Sequence, residues 1–367
     1  MSLIKERKVE NIELFYDLIF VYAISKMSGL IHHPHHGIID ITLFIKFALC
    51  SLVVLQEWLY LTNYLNRFGT FNIREIIAMC INMGAAIYLS NSISSDWSEV
   101  YFPFNISMLI MSSSVAFLYH CQVMKKEFGE KESINARNIL LFVVALLLIS
   151  LFINNFQLGI VIATIANLSG IFLPIIYKVD FNPTVANFGH LKERFELLTI
   201  LFFGEMIVSI AQYFDIKNFS IYPFIAFVAI VCLFGTYTIL INKMINHHLI
   251  TRGLVLMYSH FFLLISLGII ISSWNLVGQE TDKMFLTIFY ITGYAGFYLM
   301  LFINGIYLDR ENRLNKKDFF KILGIMMLSF IVMFIFRQNF VVSEFALLFM
   351  TFAILLIIAK KYGKIKF

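Results

Sequence analysis

The chain has 367 residues, 60% of them hydrophobic and 14% charged, with a mean hydropathy of +0.82 and a net charge of +5. A soluble domain is typically about half apolar and about a quarter charged, so a water-soluble enzyme or binding module is excluded. The basic residues are spread over short loops, which leaves no nucleic-acid-binding surface.

Runs of about 20 apolar residues can cross the hydrocarbon core as helices. Twelve are expected, at roughly 12–31, 38–64, 74–93, 100–124, 136–154, 157–177, 190–211, 219–243, 252–274, 284–307, 318–336 and 342–360. The expected fold is all-α and polytopic, with the lipid bilayer as its surroundings. The first helix carries Glu13 and Asp17, which a signal-peptide core would not, and it reads as a retained span. Spaced by four, the two acids share one helix face. The helix dipole accounts for Glu13 more readily than for the deeper Asp17. Lys26 stands near the end of this helix and Lys46 near the start of the second. Between them lies His32-His33-Pro34-His35-His36. Imidazoles bind transition metals or sense pH, but the simpler reading is a solvated turn at Pro34, and no metal is expected.

The seventh helix opens with a dense charge cluster, His190, Lys192, Glu193, Arg194 and Glu196, and then turns apolar. His190, Glu193 and Arg194 fall on one helical turn. Two compatible readings stand: a membrane-edge cluster in which Arg194 snorkels and pairs locally, and an Arg194 that reaches Asp17 or Glu13 across the boundary between repeats. Glu205 follows Gly204 at roughly 16 Å beyond Arg194 by helical rise. A charge at that depth costs about 2.5–3.5 kcal/mol on insertion scales and needs a partner. Lys26 and Lys46 lie at comparable depth, and a buried pair of this kind would titrate as a unit. His260 stands mid-way along the ninth helix, where it either takes part in a pathway or bonds a neighbouring helix.

The cysteines Cys50, Cys80, Cys121 and Cys232 lie in or at the ends of apolar runs without C-x-x-C spacing, so neither disulfides nor zinc sites are expected. No nucleotide-binding loop, Rossmann fingerprint, HExxH or GxSxG stands in the sequence. No catalytic residue, enzyme activity or cofactor is therefore expected.

Lys and Arg alternate loop by loop. With the N-terminus cytoplasmic, the outer loops hold only Lys217, Lys283 and Arg337 of the 28 basic residues. Both termini are then cytoplasmic. An internal repeat is also legible. Glu13 matches Glu193, Arg74 matches Arg252 and Trp97 matches Trp274, at offsets of 180, 178 and 177. This divides the chain into six-helix repeats over 1–178 and 179–367, parallel because six is even. Ser112-Ser113-Ser114 falls near Gly293 and Gly296 in that register, small residues that let helices approach closely.

Several stretches together resemble the bacterial low-temperature-requirement A (LtrA) family. They are ELFYDLIFVYAI at 13–24, Trp58 and Thr62 with Asn66-Arg67-Phe68, His190-x-x-Glu193-Arg194-Phe195 leading to Gly204-Glu205, and Arg252 with Tyr258-Ser259-His260 and Leu267-Gly268-Ile269. The resemblance covers essentially the whole chain. It implies a multi-pass membrane protein and brings no settled activity. Two departures stand out: Glu196 replaces an expected small residue, and Lys26 an expected neutral polar one. The function expected is a proton- or cation-coupled transporter or channel built on intramembrane acids, moving a small ion or molecule. An accessory membrane protein without turnover and a membrane-embedded enzyme acting on a lipid are the alternatives. The substrate and the oligomeric state are not encoded in any motif.

Overall fold

The computed structural model describes residues 7–126, 129–176, 183–215, 217, 219–277, 279–309 and 311–366. Among them there is no strand, and twelve α-helices occupy the twelve apolar runs. They are α1 (Asn11–Gly29), α2 (Ile41–Phe68), α3 (Ile73–Asn91), α4 (Trp97–Lys125), α5 (Glu130–Phe152), α6 (Phe156–Ile176), α7 (Phe188–Ala211), α8 (Tyr222–Thr238), α9 (Leu254–Leu276), α10 (Lys283–Ile303), α11 (Lys316–Ile335) and α12 (Phe340–Lys366). A π-helical turn, Ile239–Met244, continues α8, and a 3-10 turn, Asn304–Tyr307, continues α10.

The helix starts follow from short polar side chains that satisfy the free N–H groups of the first turn. Asn72 accepts from Arg74 and Glu75, Asp96 from Ser98, Asp282 from Phe285, and Asn315 from Asp318. Helix α5 begins six residues earlier than its apolar run. Gly129, at φ +86°, turns the chain, and Glu130 and Glu132 then sit in the first turn, where the helix dipole favours acids. Inside the helices, hydroxyls turn back on carbonyls four residues earlier, as Ser51, Ser90, Thr199, Thr236, Ser272 and Ser273 do. In hydrocarbon such groups have no water to bond.

Ten of these helical stretches are long and apolar enough to cross a membrane. Helices α1 and α7 do not reach that measure, because they carry the charged residues discussed below. Apolar side chains such as Phe15, Leu18, Val161, Phe172, Val231 and Phe320 are exposed on the helices, as expected where lipid is the neighbour.

The chain forms two compact units. The first comprises Met1–Leu30, Ile45–Arg194 and Ile250–Gly253, and the second Ile31–Phe44, Phe195–Leu249 and Leu254–Phe367. In the first unit α1 packs on α3, α3 on α4, α4 on α5, and α5 on α6. In the second, α9 packs on α10, α10 on α11, α11 on α12, and α12 on α8. The α9–α10 contact depends on glycine. A Cβ at Gly293 would stand 2.8 Å from Ile270 Cγ1, and one at Gly296 would collide with Ser266 Oγ.

Candidate functional site

The charged ends of α1 and α7 meet inside the first unit. Arg194 donates from Nη2 to Asp17 Oδ1 at 2.5 Å and from Nε to Asp17 Oδ2 at 3.1 Å. Its Nη1 donates to Glu13 Oε1 at 2.7 Å. The four-residue spacing read from the sequence is what allows one guanidinium to serve both acids. The fork on Asp17 is the planar, bidentate geometry in which arginine differs from lysine. From α2, Trp58 Nε1 donates to Asp17 Oδ1 at 2.7 Å, and its ring lies 5.6 Å from the guanidinium carbon. Arg194 and Glu13 are 0% exposed and Asp17 1%. The cluster is buried, so Arg194 does not snorkel to water, and it reaches both acids.

The cluster continues through His190, whose Nε2 lies 3.1 Å from Glu13 Oε2. Its Nδ1 faces Asn66 Nδ2 at 3.0 Å. Asn66 is fixed from both sides by Asn187, donating to its carbonyl at 2.8 Å and accepting from its N–H at 3.2 Å. The amide nitrogen therefore points at the ring, and Nδ1 must accept. The imidazole is neutral, with its proton on Nε2 donated to Glu13. The Glu10 N–H supplies a further bond to Glu13 Oε2 at 3.0 Å. With one guanidinium, two carboxylates and a neutral ring, the group carries one net negative charge.

The other predicted residues stand apart from this cluster. Glu193 is half-buried and does not join it. Glu196 is buried in the second unit, where Oε2 accepts from Asn242 Nδ2 at 3.1 Å. Glu205 is half-buried in the second unit and has no hydrogen bond there among the described residues. Lys26 is exposed, 5.4 Å from the Tyr22 ring, and Lys46 donates to the Ser95 carbonyl beside Trp97. His260 is fully buried. Nδ1 donates to the Leu256 carbonyl at 2.8 Å, and Nε2 accepts from the Tyr237 hydroxyl at 3.1 Å. In the His-rich loop, His33, His35 and His36 are exposed, and a tight turn pairs His35 with Ile38. His32 is half-buried, with Nε2 3.1 Å from Asn275 Nδ2. The four cysteines are unpaired.

Sequence matching agrees with this architecture. The family described as Bacterial low temperature requirement A protein (LtrA) matches over residues 8–360. The chain belongs to the LtrA family. No match was found among curated proteins. The three stretches that resemble the LtrA family near the N-terminus, on α2 and on α7 are the three that build the Arg194 cluster.

Among the described residues, four buried acids of this LtrA protein escaped the sequence reading: Glu75, which accepts from Thr70 and Asn72, Glu132, which pairs with Arg67, and Glu57 and Glu344, which keep bare oxygens. Glu57, on α2 in the first unit, is 0% exposed. Its Oε1 accepts from Ser112 Oγ at 2.7 Å, while Oε2 has no partner. Glu344, on α12 in the second unit, is 1% exposed, and neither of its oxygens has a hydrogen-bond partner. Glu344 lies within electrostatic reach of Tyr290 and Tyr294 on α10. The Tyr290 hydroxyl is buried and without a hydrogen-bond partner as well, while Tyr294 faces the Trp274 Nε1 and Tyr298 the Thr236 hydroxyl at more than ordinary hydrogen-bond distance. The depth argument applied to Glu205 would have found Glu57, and the four-residue spacing of the tyrosines was legible. Glu344 stands only five residues into its helix, and nothing in the sequence marks it as enclosed.

Proposed function

We propose that this LtrA protein carries protons or small monovalent cations across the cell membrane, along the face of α10 in the second unit. The observation that supports the reading is the file of loosely held polar atoms along this face: both oxygens of Glu344, the hydroxyls of Tyr290, Tyr294 and Tyr298, and Asn304 Oδ1. From Tyr290 to Asn304 it extends about 21 Å by helical rise. Buried polar groups are almost always bonded, and a file of exceptions calls for water or an ion. A bare carboxylate is the costliest of them in hydrocarbon and needs a proton or a cation. The reading is of a carrier or channel rather than an enzyme. It takes both termini as cytoplasmic and α1–α6 and α7–α12 as parallel repeats, supported by the Lys/Arg alternation and the Glu13/Glu193 register.

The test is flux into vesicles holding the purified protein and a trapped pH dye, under imposed proton and potassium gradients. Glu344→Gln keeps the shape and removes the charge. It should abolish flux while leaving the unfolding temperature in detergent unchanged, and Tyr294→Phe should slow flux severalfold. Equal flux in wild type and Glu344→Gln removes the acid from the path. No flux from wild type under any gradient favours the accessory reading, to which the closed Arg194 cluster lends support.

A further inference from the structure

In the first unit a cavity of about 60 Å³ lies among α2, α4 and α6. On this measure a single water needs about 10–15 Å³, so several heavy atoms fit. Most of the wall is aliphatic or aromatic, and the rim at Val53, Phe104 and Leu168 is half-exposed, on the side where lipid would lie.

Two amides interrupt that wall. Asn105 on α4 and Asn167 on α6 are 3% and 4% exposed. Each turns its Nδ2 back on its own helix, Asn105 to the Tyr101 carbonyl at 2.8 Å and Asn167 to the Ala163 carbonyl at 2.7 Å. Those bonds fix the amide orientation, because the flipped form would set oxygen against oxygen. Both Oδ1 atoms are left buried with no partner. The hydroxyls of Ser92, Tyr101 and Thr164, which also line the cavity, give their protons to backbone carbonyls of Tyr88, Ser150 and Ile160. The lining holds no carboxylate, lysine, arginine or histidine.

We propose that this cavity is a binding site for a neutral lipid-borne alcohol, an elongated apolar molecule ending in one hydroxyl. A hydroxyl gives its proton to an unpartnered asparagine oxygen and accepts from the second N–H of the amide. An ammonium group would enter without a counter-charge. A ketone or ether has no proton to give. The apolar body lies along the aliphatic wall and reaches the bilayer through the half-exposed rim. Trp97, at the start of α4, lines the same cavity eight residues before Asn105, about 12 Å along the helix.

Trp97 makes the proposal measurable. Protein reconstituted in phosphatidylcholine vesicles is titrated with ω-bromododecanol, its methyl ether and bromododecane, reading tryptophan quenching by bromine. Trp97→Phe identifies the cavity signal. The expected result is saturable quenching by the alcohol, roughly tenfold tighter than by the ether or the alkane. That preference should vanish in Asn105→Leu/Asn167→Leu. Non-saturating quenching of equal slope by all three probes, as for a cavity holding only water, overturns the proposal. So does a preference for the alcohol that survives in the double variant. If the double variant fails to fold, the single variants Asn105→Leu and Asn167→Leu decide: the preference for the alcohol over the ether should fall in at least one of them, and a preference unchanged in both overturns the proposal, since the added methyl of the ether is excluded equally in each.

Discussion

If Arg194 holds Glu13 and Asp17 together, its loss and the loss of one acid must be strongly coupled. Arg194→Ala leaves two carboxylates in a site from which water is excluded. Removing one partner of a buried pair costs about 3–5 kcal/mol, and the upper end applies because this guanidinium makes three hydrogen bonds to two acids. Asp17→Asn keeps an oxygen for the Trp58 indole and leaves Arg194 on Glu13. It also removes the net negative charge of the cluster, so its cost should be about 1–2 kcal/mol. In the double variant one carboxylate remains, Glu13, held by His190 and by the Glu10 N–H. The double variant should lose about 3 kcal/mol, against a sum of about 6 for the singles, a coupling of about 3 kcal/mol. The assay is equilibrium unfolding in mixed micelles, followed by circular dichroism. Additivity within about 0.5 kcal/mol would refute the cluster as drawn.

Orientation is open to a labelling test in a cysteine-free background. A cysteine at His35 should react with an impermeant thiol reagent in intact cells, and one at Lys131 only after permeabilisation; the reverse pattern overturns the cytoplasmic assignment of the termini. The His-rich loop gives a pH dependence. Burial, and secondarily the neighbouring His33, hold the His32 imidazole down from 6.5 to about 4. The unfolded chain therefore takes up this proton first, so stability is complete above pH 6.5, falls from there towards pH 4 and levels off below. For a half-buried ring the loss should be about 1–3 kcal/mol. His32→Gln should flatten the slope of detergent unfolding temperature against pH over that interval, and an unchanged slope would show that other groups set it.

The helices were readable because a membrane span leaves a long, uninterrupted signal. All twelve runs appear as helices; α5 starts six residues early at Gly129 and Glu130, α2 runs on to Phe68 and α12 to Lys366. The Arg194 contact was also within reach, because an i, i+4 pair of acids and a buried arginine have few ways to be neutralised. What periodicity does not carry is the partner from a third helix. Nothing in the spacing puts the Trp58 indole on Asp17, or shows that Asn66, clamped by Asn187, dictates the tautomer of His190. Neither a shared helical turn nor distance from a helix end fixes burial. Glu193, on the same turn as His190 and Arg194, remains outside the cluster, while Glu344 is fully enclosed close to its helix start. Burial depends on what packs around a position, and a single helix does not contain that information.

Among the buried acids of this protein, Glu13 and Asp17 stand at one extreme and Glu344 at the other, and the difference bears on the proposed transfer. Asp17 is held by a guanidinium fork and an indole N–H, and Glu13 by a guanidinium, an imidazole and a backbone N–H. To change its proton or admit an ion, either acid must first give up several charge-assisted bonds in a medium where nothing replaces them. Such a group fixes α1, α2 and α7 at one register and is poorly suited to a cycle. Glu344 has no bond to give up. Its neighbours on α10 are hydroxyls that can each donate or accept, so a proton or a hydrated cation meets partners without first dismantling any. Glu13 and Asp17, which the sequence marks by their spacing, therefore hold the first unit in place, and the acid on the proposed path is one that no motif marks.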